Sequence, residues 1–161
     1  MDGSLQIRTY EETDWSAIEA VHDRARKIEL HLAGLEEAFL PLAIAAKREG
    51  LLDYPGLYVA EWDRKVVGFT ACTDRELAWL YVDPAYRRRG VGRKLSEYAL
   101  ERHPQIDTIE TLKGNEPARK LYESLGFQVE GVERGQMPEN EAFHVEVYCL
   151  CRHLYEGSDE R

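Results

Sequence analysis

Between Leu80 and Leu95 the chain reads LYVDPAYRRRGVGRKL, and this stretch constrains the fold more than any other. An apolar run from Leu77 to Val82 ends at Asp83-Pro84, three arginines follow, and a helical pattern begins at Gly90. The first N–H groups of a helix lack internal partners and sit at the positive end of its dipole. Arginines placed there oppose the dipole, at roughly 0.3–1 kcal/mol each when exposed. A helix start that served structure alone would more naturally carry Asp or Glu. Arginines beside free N–H groups therefore read as a binding turn for an anion, with Gly90 and Gly92 letting it approach the backbone. The plainer alternative is a solvated basic turn. Neither a GxxxxGK[ST] phosphate loop nor a GxGxxG dinucleotide turn occurs.

The charge balance narrows the anion. The 161 residues carry 21 basic and 30 acidic side chains, a net charge of −9. Arg87, Arg88, Arg89, Arg93 and Lys94 concentrate five of those cations within eight residues. A basic spot on an acidic body suits a small polyanion better than DNA or RNA, whose binding needs many phosphates neutralised. No nucleic-acid partner is expected. The longest uncharged apolar stretch near the middle, Ala38 to Ala46, is broken by Pro41 and falls far short of the about 20 residues of a membrane span. The start, Met1-Asp2-Gly3-Ser4, does not read as a signal peptide. Cys72, Cys149 and Cys151 form no CxxC pair and read as buried reduced thiols, with no metal site expected. One cytoplasmic domain over residues 1–161, without linker or repeat, is the expectation.

The pattern along the chain supplies the elements. Leu5–Tyr10 alternates as a strand, and Trp15, Ile18, Val21 and His22 recur at helical spacing after a cap at Thr13 or Asp14. A second helix is expected over Leu35–Arg48, broken or kinked at Pro41 and ended by Gly50. Leu57–Trp62 and Lys65–Thr73 read as a hairpin around Asp63-Arg64. Helices over Gly90–Glu101 and Asn115–Leu125 flank a strand at Ile106–Leu112, and strands at Phe127–Glu133 and Ala142–Cys151 close the order. Arg134–Asn140 reads as the loop between those last strands, and the tail Glu156–Arg161 is expected to fray. Strand–helix–strand crossovers beside hairpins imply a mixed sheet with helices on both faces.

Two motifs in this order resemble the GNAT acetyltransferase superfamily. Arg87-Arg88-Arg89-Gly90-Val91-Gly92 meets its [Q/R]-x-x-G-x-[G/A] turn, and Asn115 to Phe127 looks like its N-x-x-A-x-x-[LF]-Y-x-x-x-G-F helix. The resemblance covers residues 65–130 firmly. It implies an α/β (α+β mixed) GNAT fold, a mostly antiparallel sheet of six or seven strands flanked by four helices. It also implies acetyl-CoA as cosubstrate. Backbone N–H groups across Arg87, Arg88, Arg89, Gly90, Val91 and Gly92 would hold its pyrophosphate. The strand backbone at Leu80, Tyr81 and Val82 would pair with its pantetheine arm. Asn115 would bond an amide of that arm, and Ala118 would let it pass.

The implied activity is direct transfer of an acetyl group to a primary amine. Tyr122 would be the acid that protonates the leaving sulfur, since a phenol of pKa about 10 is protonated at neutral pH. A backbone N–H near Tyr81 or Val82 would polarise the carbonyl. Glu76, eleven residues before Arg87, matches the position of a glutamate that serves as base in one branch of the superfamily. His22, His31 and His144 are other candidates that no spacing singles out, and read as structural or exposed. The acceptor half contains Trp15, His22, Glu29, His31, Glu36, Glu37, Phe143 and His144. Its acidic excess favours a cationic amine. A small-molecule amine is favoured over a protein N-terminus or lysine, and a homodimer is compatible with the family. The rival readings are a non-catalytic acyl-CoA-binding module and a nucleic-acid binder.

Overall fold

The computed structural model describes residues 4–154, so the tail expected to fray lies outside the described residues. Within these residues seven strands and four helices follow one another along the chain: β1 (Leu5–Thr9), α1 (Trp15–Leu32), α2 (Leu42–Glu49), β2 (Gly56–Trp62), β3 (Lys65–Cys72), β4 (Glu76–Val82), α3 (Val91–Arg102), β5 (Thr108–Leu112), α4 (Glu116–Ser124), β6 (Gln128–Met137) and β7 (Asn140–Cys151). They form one sheet in the order β1-β2-β3-β4-β5-β7-β6. Every neighbouring pair is antiparallel except β4–β5. This is the mixed, mostly antiparallel sheet that the motifs implied.

Two apolar layers hold it. On one face Ile18 and Val21 of α1 and Leu42 and Ala46 of α2 bury against Val59, Phe69 and Ala71. On the other, Ala99 of α3 and Tyr122 of α4 bury with Leu77, Ile109, Phe127 and Leu150. Burial of such side chains at about 25 cal/mol per Å² is the main source of cohesion. Among the described residues no helix is long and apolar enough to cross a membrane.

The helix boundaries follow from local chemistry. Asp14 precedes α1, but its carboxylate turns back, accepting the Glu11 N–H at 2.8 Å and two Arg8 N–H bonds at 2.9 Å. Pro41 does more than kink the expected Leu35–Arg48 helix. A 3₁₀ turn at Glu36–Ala38 stands before it, and α2 begins at Leu42 with Pro41 extended at ψ 154°. A proline interrupts the hydrogen-bond ladder and pushes the preceding residue out of the helical region. In the β2–β3 hairpin, Asp63 and Arg64 both take left-handed φ, 51° and 72°, as tight hairpin turns require.

The last hairpin corrects the sequence reading. Arg134–Gln136 continues β6 in register, Gly135 opposite Val145 and Gln136 opposite His144; after a register shift Met137 pairs with Asn140, where β7 starts. The expected seven-residue loop shrinks to Pro138-Glu139. Backbone ladder bonds on a polar, largely exposed edge hold this extension, and hydrophobic alternation does not register them. The cysteines also differ from the expectation. Cys72 is buried, but Cys149 and Cys151 are only half-buried, and all three are free. Burial pushes the Cys72 thiol up to about 11.

Candidate active site

The site grows from an irregularity in β4. Ala71 pairs with Trp79 but Cys72 pairs with Leu77, so Ala78 is an extra residue in the strand. Such a bulge bends a strand and re-aims its side chains. Beyond it β4 parts from β5. The two strands pair only at Glu76–Thr108 and Leu77–Ile109. Leu80, Tyr81 and Val82 stay paired to β3, and among the described residues their β5-facing edge has no strand partner.

Three chambers follow that open edge. The first, about 530 Å³, lies between the arginine turn and α4 and is lined by Leu80, Val82, Arg87, Arg88, Gly90–Arg93, Ala118 and Leu121, among others. The second, about 160 Å³, shares Leu80, Val82, Arg87 and Pro117 with the first and adds Glu29, Tyr81 and Asn115. The third, about 310 Å³, shares Glu29 and Tyr81 with the second and continues to Glu76, Glu110 and Glu139. Shared walls make one path from the cationic turn to an acidic cavity.

At the cationic end Gly90 caps α3 with φ 82°, and Arg88 also takes a left-handed φ of 65°. A Cβ on Gly92 would point toward Leu121, Val82 and Leu80 at 3.5–3.8 Å, into the floor of the first chamber. Arg89 turns away: its guanidinium lies over Trp62 at 5.7 Å and Tyr86 at 5.3 Å. Arg93 takes a place in the chamber wall.

Glu29 occupies the joint between the second and third chambers. It accepts from Arg26 Nη1 at 2.7 Å, Tyr81 hydroxyl at 3.1 Å and Asn115 Nδ2 at 3.2 Å. Arg26, only 7% exposed, also pairs with Glu139 on the β6–β7 turn. Burial works against the Arg26 charge, but Tyr81, Glu29 and Glu139 more than offset it. Burial raises Tyr81 well above the ordinary phenol range.

The acidic cavity resists ionisation of its own carboxyls. Burial and then Glu110 raise Glu76, burial and then Glu133 raise Glu110, and burial followed by Glu139 and Glu141 raises Glu49. A cation entering this cavity relieves that repulsion. Tyr122, 6% exposed, sits in the core beneath α4. Burial, then the Glu29 charge, pushes its hydroxyl well up, so it stays protonated.

The sequence and the fold are similar to those of known proteins. A family model described as an acetyltransferase (GNAT) domain matches residues 53–129. The peptidyl-lysine N-acetyltransferase YjaB of Escherichia coli (strain K12) is 32% identical over 117 residues, 71% of each chain. The chain belongs to the GNAT acetyltransferase family. A second relative, the peptidyl-lysine N-acetyltransferase YiaC of the same strain, is 37% identical over 73 residues, 45% of this chain. The chain thus spans about half, 49%, of YiaC. The PaiA N-acetyltransferase of Thermoplasma acidophilum, solved in complex with coenzyme A, superposes with a TM-score of 0.63 at 17% identity, covering 93% of this chain and 99% of that one. That likeness concerns the fold.

In this GNAT chain the expected site residues fall into three groups. Leu80, Val82, Arg87, Arg88, Gly90, Val91, Gly92 and Ala118 line the first chamber, and Tyr81 and Asn115 join the second. Glu76 lines the third, to which Tyr81 also extends. The side chains of Arg89 and Tyr122 line none of these chambers. Asn115 does not lie within α4 but caps it, its Oδ1 accepting the Ala118 N–H at 3.4 Å. The sequence reading missed Arg26, Glu49 and Glu110 in the cavity. Arg26 had a signal: it stands one turn after His22 and one before Glu29 on a single helix stripe.

Proposed function

We propose that the chain is an acetyl-CoA-dependent N-acetyltransferase whose acceptor is a primary amine that arrives as a cation, foremost a lysine side chain. The observation that carries this reading is the continuous path from the arginine turn to the acidic cavity through Glu29 and Tyr81. The residues fit acetyl-CoA in kind. Cations and unpartnered helix N–H groups suit a pyrophosphate, and the free edge of Leu80–Val82 suits an arm with amides. When bound, acetyl-CoA supplies the thioester whose acetyl group is transferred.

The chain's own groups divide the work. Arg87, Arg88 and Arg93, with the N–H groups of residues 87–92, hold the phosphates, and Arg89 contributes its backbone alone. Asn115 and Ala118 shape the passage. Tyr122, kept protonated, donates to the leaving sulfur. Glu76 removes the first proton from the entering ammonium, which its raised proton affinity supports. The names of YjaB and YiaC support a lysyl amine. A second reading, a small-molecule amine, is favoured by the β6–β7 turn, which lines the cavity and is tied down by Arg26–Glu139 and by Arg48 donating to the Glu139 carbonyl at 2.8 Å. Cytoplasmic location is part of the proposal, supported by three free cysteines.

Calorimetric titration with acetyl-CoA tests the reading. Stoichiometric binding of acetyl-CoA and of adenosine 3′,5′-bisphosphate is expected. Thiol release should then follow on adding a lysine peptide, and less on adding spermidine. Absence of binding by either nucleotide would overturn the assignment.

A further inference from the structure

The third chamber holds a titratable group that the proposed function leaves unused. His22 lies on the α1 stripe that also presents Arg26 and Glu29, and is 2% exposed. Its Nδ1 stands 2.9 Å from Asp23 Oδ1. The same oxygen accepts the Leu42 N–H at 2.9 Å, which fixes the carboxylate between α1 and the first residue of α2. A carboxylate only accepts, so Nδ1 carries the hydrogen and the lone pair of the neutral ring lies on Nε2.

Nε2 has no hydrogen-bond partner among the described residues. It is not sealed in either: among those residues the one fully enclosed side-chain N or O without a partner is Ser96 Oγ. A histidine buried for packing has its second nitrogen paired or closed off, whereas this ring lines the acceptor cavity. It stands edge-on to Tyr81 at 4.9 Å between centroids and tilts against Trp79 at 6.1 Å. Tyr81 is shared with the second chamber, so His22 sits beside the junction. Glu76, at the far end of β4, lines the third chamber alone.

We infer that His22 is the base that takes the proton released from the acceptor nitrogen as the amide forms, with Asp23 as the positioning residue that sets its tautomer. This rests on the N-acetyltransferase reading. An ammonium sheds two protons on becoming an amide. Glu76 takes the first and Nε2 takes the second while the nitrogen–carbon bond forms and the carbon–sulfur bond breaks. The sulfur takes the Tyr122 proton. The imidazolium returns its proton to the Tyr122 oxygen through solvent, and Glu76 releases the one net proton.

The surroundings keep the ring ready to accept. Burial pulls its proton affinity below that of an ordinary histidine, against the opposing pull of Asp23. Arg26 on the same helix favours the neutral ring and Glu29 the cation. Tyr81 from β4, Glu49 from α2 and Glu139 from the β6–β7 turn also face this cavity.

Nitrogen-15 NMR of the ligand-free protein reads the dyad without any donor. The Nδ1–H tautomer is expected, with a titration midpoint below about 6.5. Kinetics with a lysine peptide should show His22→Gln lowering kcat by about 10²–10⁴-fold, the usual share of a general base. Its acetyl-CoA affinity should be unchanged, and the acidic limb that His22 sets in kcat should be lost. Asp23→Asn should shift the NMR signature toward the Nε2–H tautomer and lower kcat while leaving the KM for acetyl-CoA in place. Wild-type turnover with an unaltered acidic limb in His22→Gln would overturn the inference. An Nε2–H tautomer in the wild type would overturn it too, and that reading survives a variant that fails to fold. Wild-type protein that binds no acetyl-CoA would overturn the parent reading and this one together, whereas intact binding with normal turnover in His22→Gln removes this one alone.

Discussion

Asn115 Nδ2 donates to Glu29 Oε2 at 3.2 Å across 86 residues of chain, joining the start of α4 to α1 at the midpoint of the path. Because Oδ1 of the same side chain caps α4, both ends of Asn115 are engaged. Asn115→Ala should cost about 0.5–2 kcal/mol of stability through the lost cap. It should also raise the KM for acetyl-CoA. Glu29→Gln keeps the shape but removes a charge that the buried Arg26 relies on, so stability should fall and the KM should rise. Urea unfolding and initial-rate kinetics separate the two effects.

The cationic turn gives a sharper test. Arg88→Glu with Gly92→Glu puts two carboxylates where phosphates are proposed to sit. The fold should survive, because Arg88 already holds its left-handed φ with a side chain and a Cβ on Gly92 meets only ordinary contacts. Acetyl-CoA affinity should fall at least about 100-fold, equivalent to ~2.7 kcal/mol. Calorimetry with a circular-dichroism control measures both, and unchanged affinity would remove the pyrophosphate assignment.

Tyr122→Phe removes one hydroxyl and leaves the ring in its core cluster. Turnover should drop about 10²–10⁴-fold if the hydroxyl is the acid, with acetyl-CoA binding and melting temperature nearly unchanged. Because burial and Glu29 raise this hydroxyl so far, it should contribute no alkaline limb to the wild-type profile. A variant as fast as the wild type would strip Tyr122 of the role.

The acidic cavity predicts a stability trade. Glu76 and Glu110 have folded-state proton affinities above their unfolded values. Between the two values the folded state binds more protons, so stability falls as pH rises through that window. Glu110→Gln, whose side chain is exposed and screened by solvent, should change little, whereas Glu76→Gln should be more stable than the wild type at pH 7–8. The gain should be up to about 2–4 °C in Tm, the shift that 1 kcal/mol gives in a chain of this size. The advantage should fade as pH falls through the ordinary glutamate range and vanish below about pH 3.5, where both states are largely protonated. Thermal melts across pH read the sign directly.

Gly114 links stability to the site. Its φ is 109°, and an added Cβ would lie 2.9 Å from the Leu32 carbonyl oxygen at the end of α1. Gly114→Ala should cost about 1–3 kcal/mol from backbone strain and displace the neighbouring Asn115. A lower urea midpoint accompanied by weaker acetyl-CoA binding is the expected pair of results.

The parts legible in the sequence were those whose causes lie close together along the chain. Pro41 ends one helical segment and permits another, Gly90 and Gly126 mark helix ends, and alternation announces β2 and β3. The arginine turn and the Asn115–Phe127 helix are each complete within about a dozen residues, so their order alone implied the family. The β6–β7 extension was not legible, because ladder bonds between partners such as Gly135 and Val145 leave no apolar pattern.

By itself the sequence determined the element order, the arginine turn and the strand that leads into it, all products of short-range propensity, capping and backbone freedom. Only the tertiary structure decided that β4 would part from β5 after Leu77, that Arg89 would stack on Trp62, and that His22, Glu29, Glu76 and Glu139 would share one cavity. Those four residues come from α1, β4 and the β6–β7 turn. What brings them together is burial of apolar faces remote from the site and the bulge at Ala78 in the strand that lines all three chambers. Such contacts span many residues, and no local spacing encodes them.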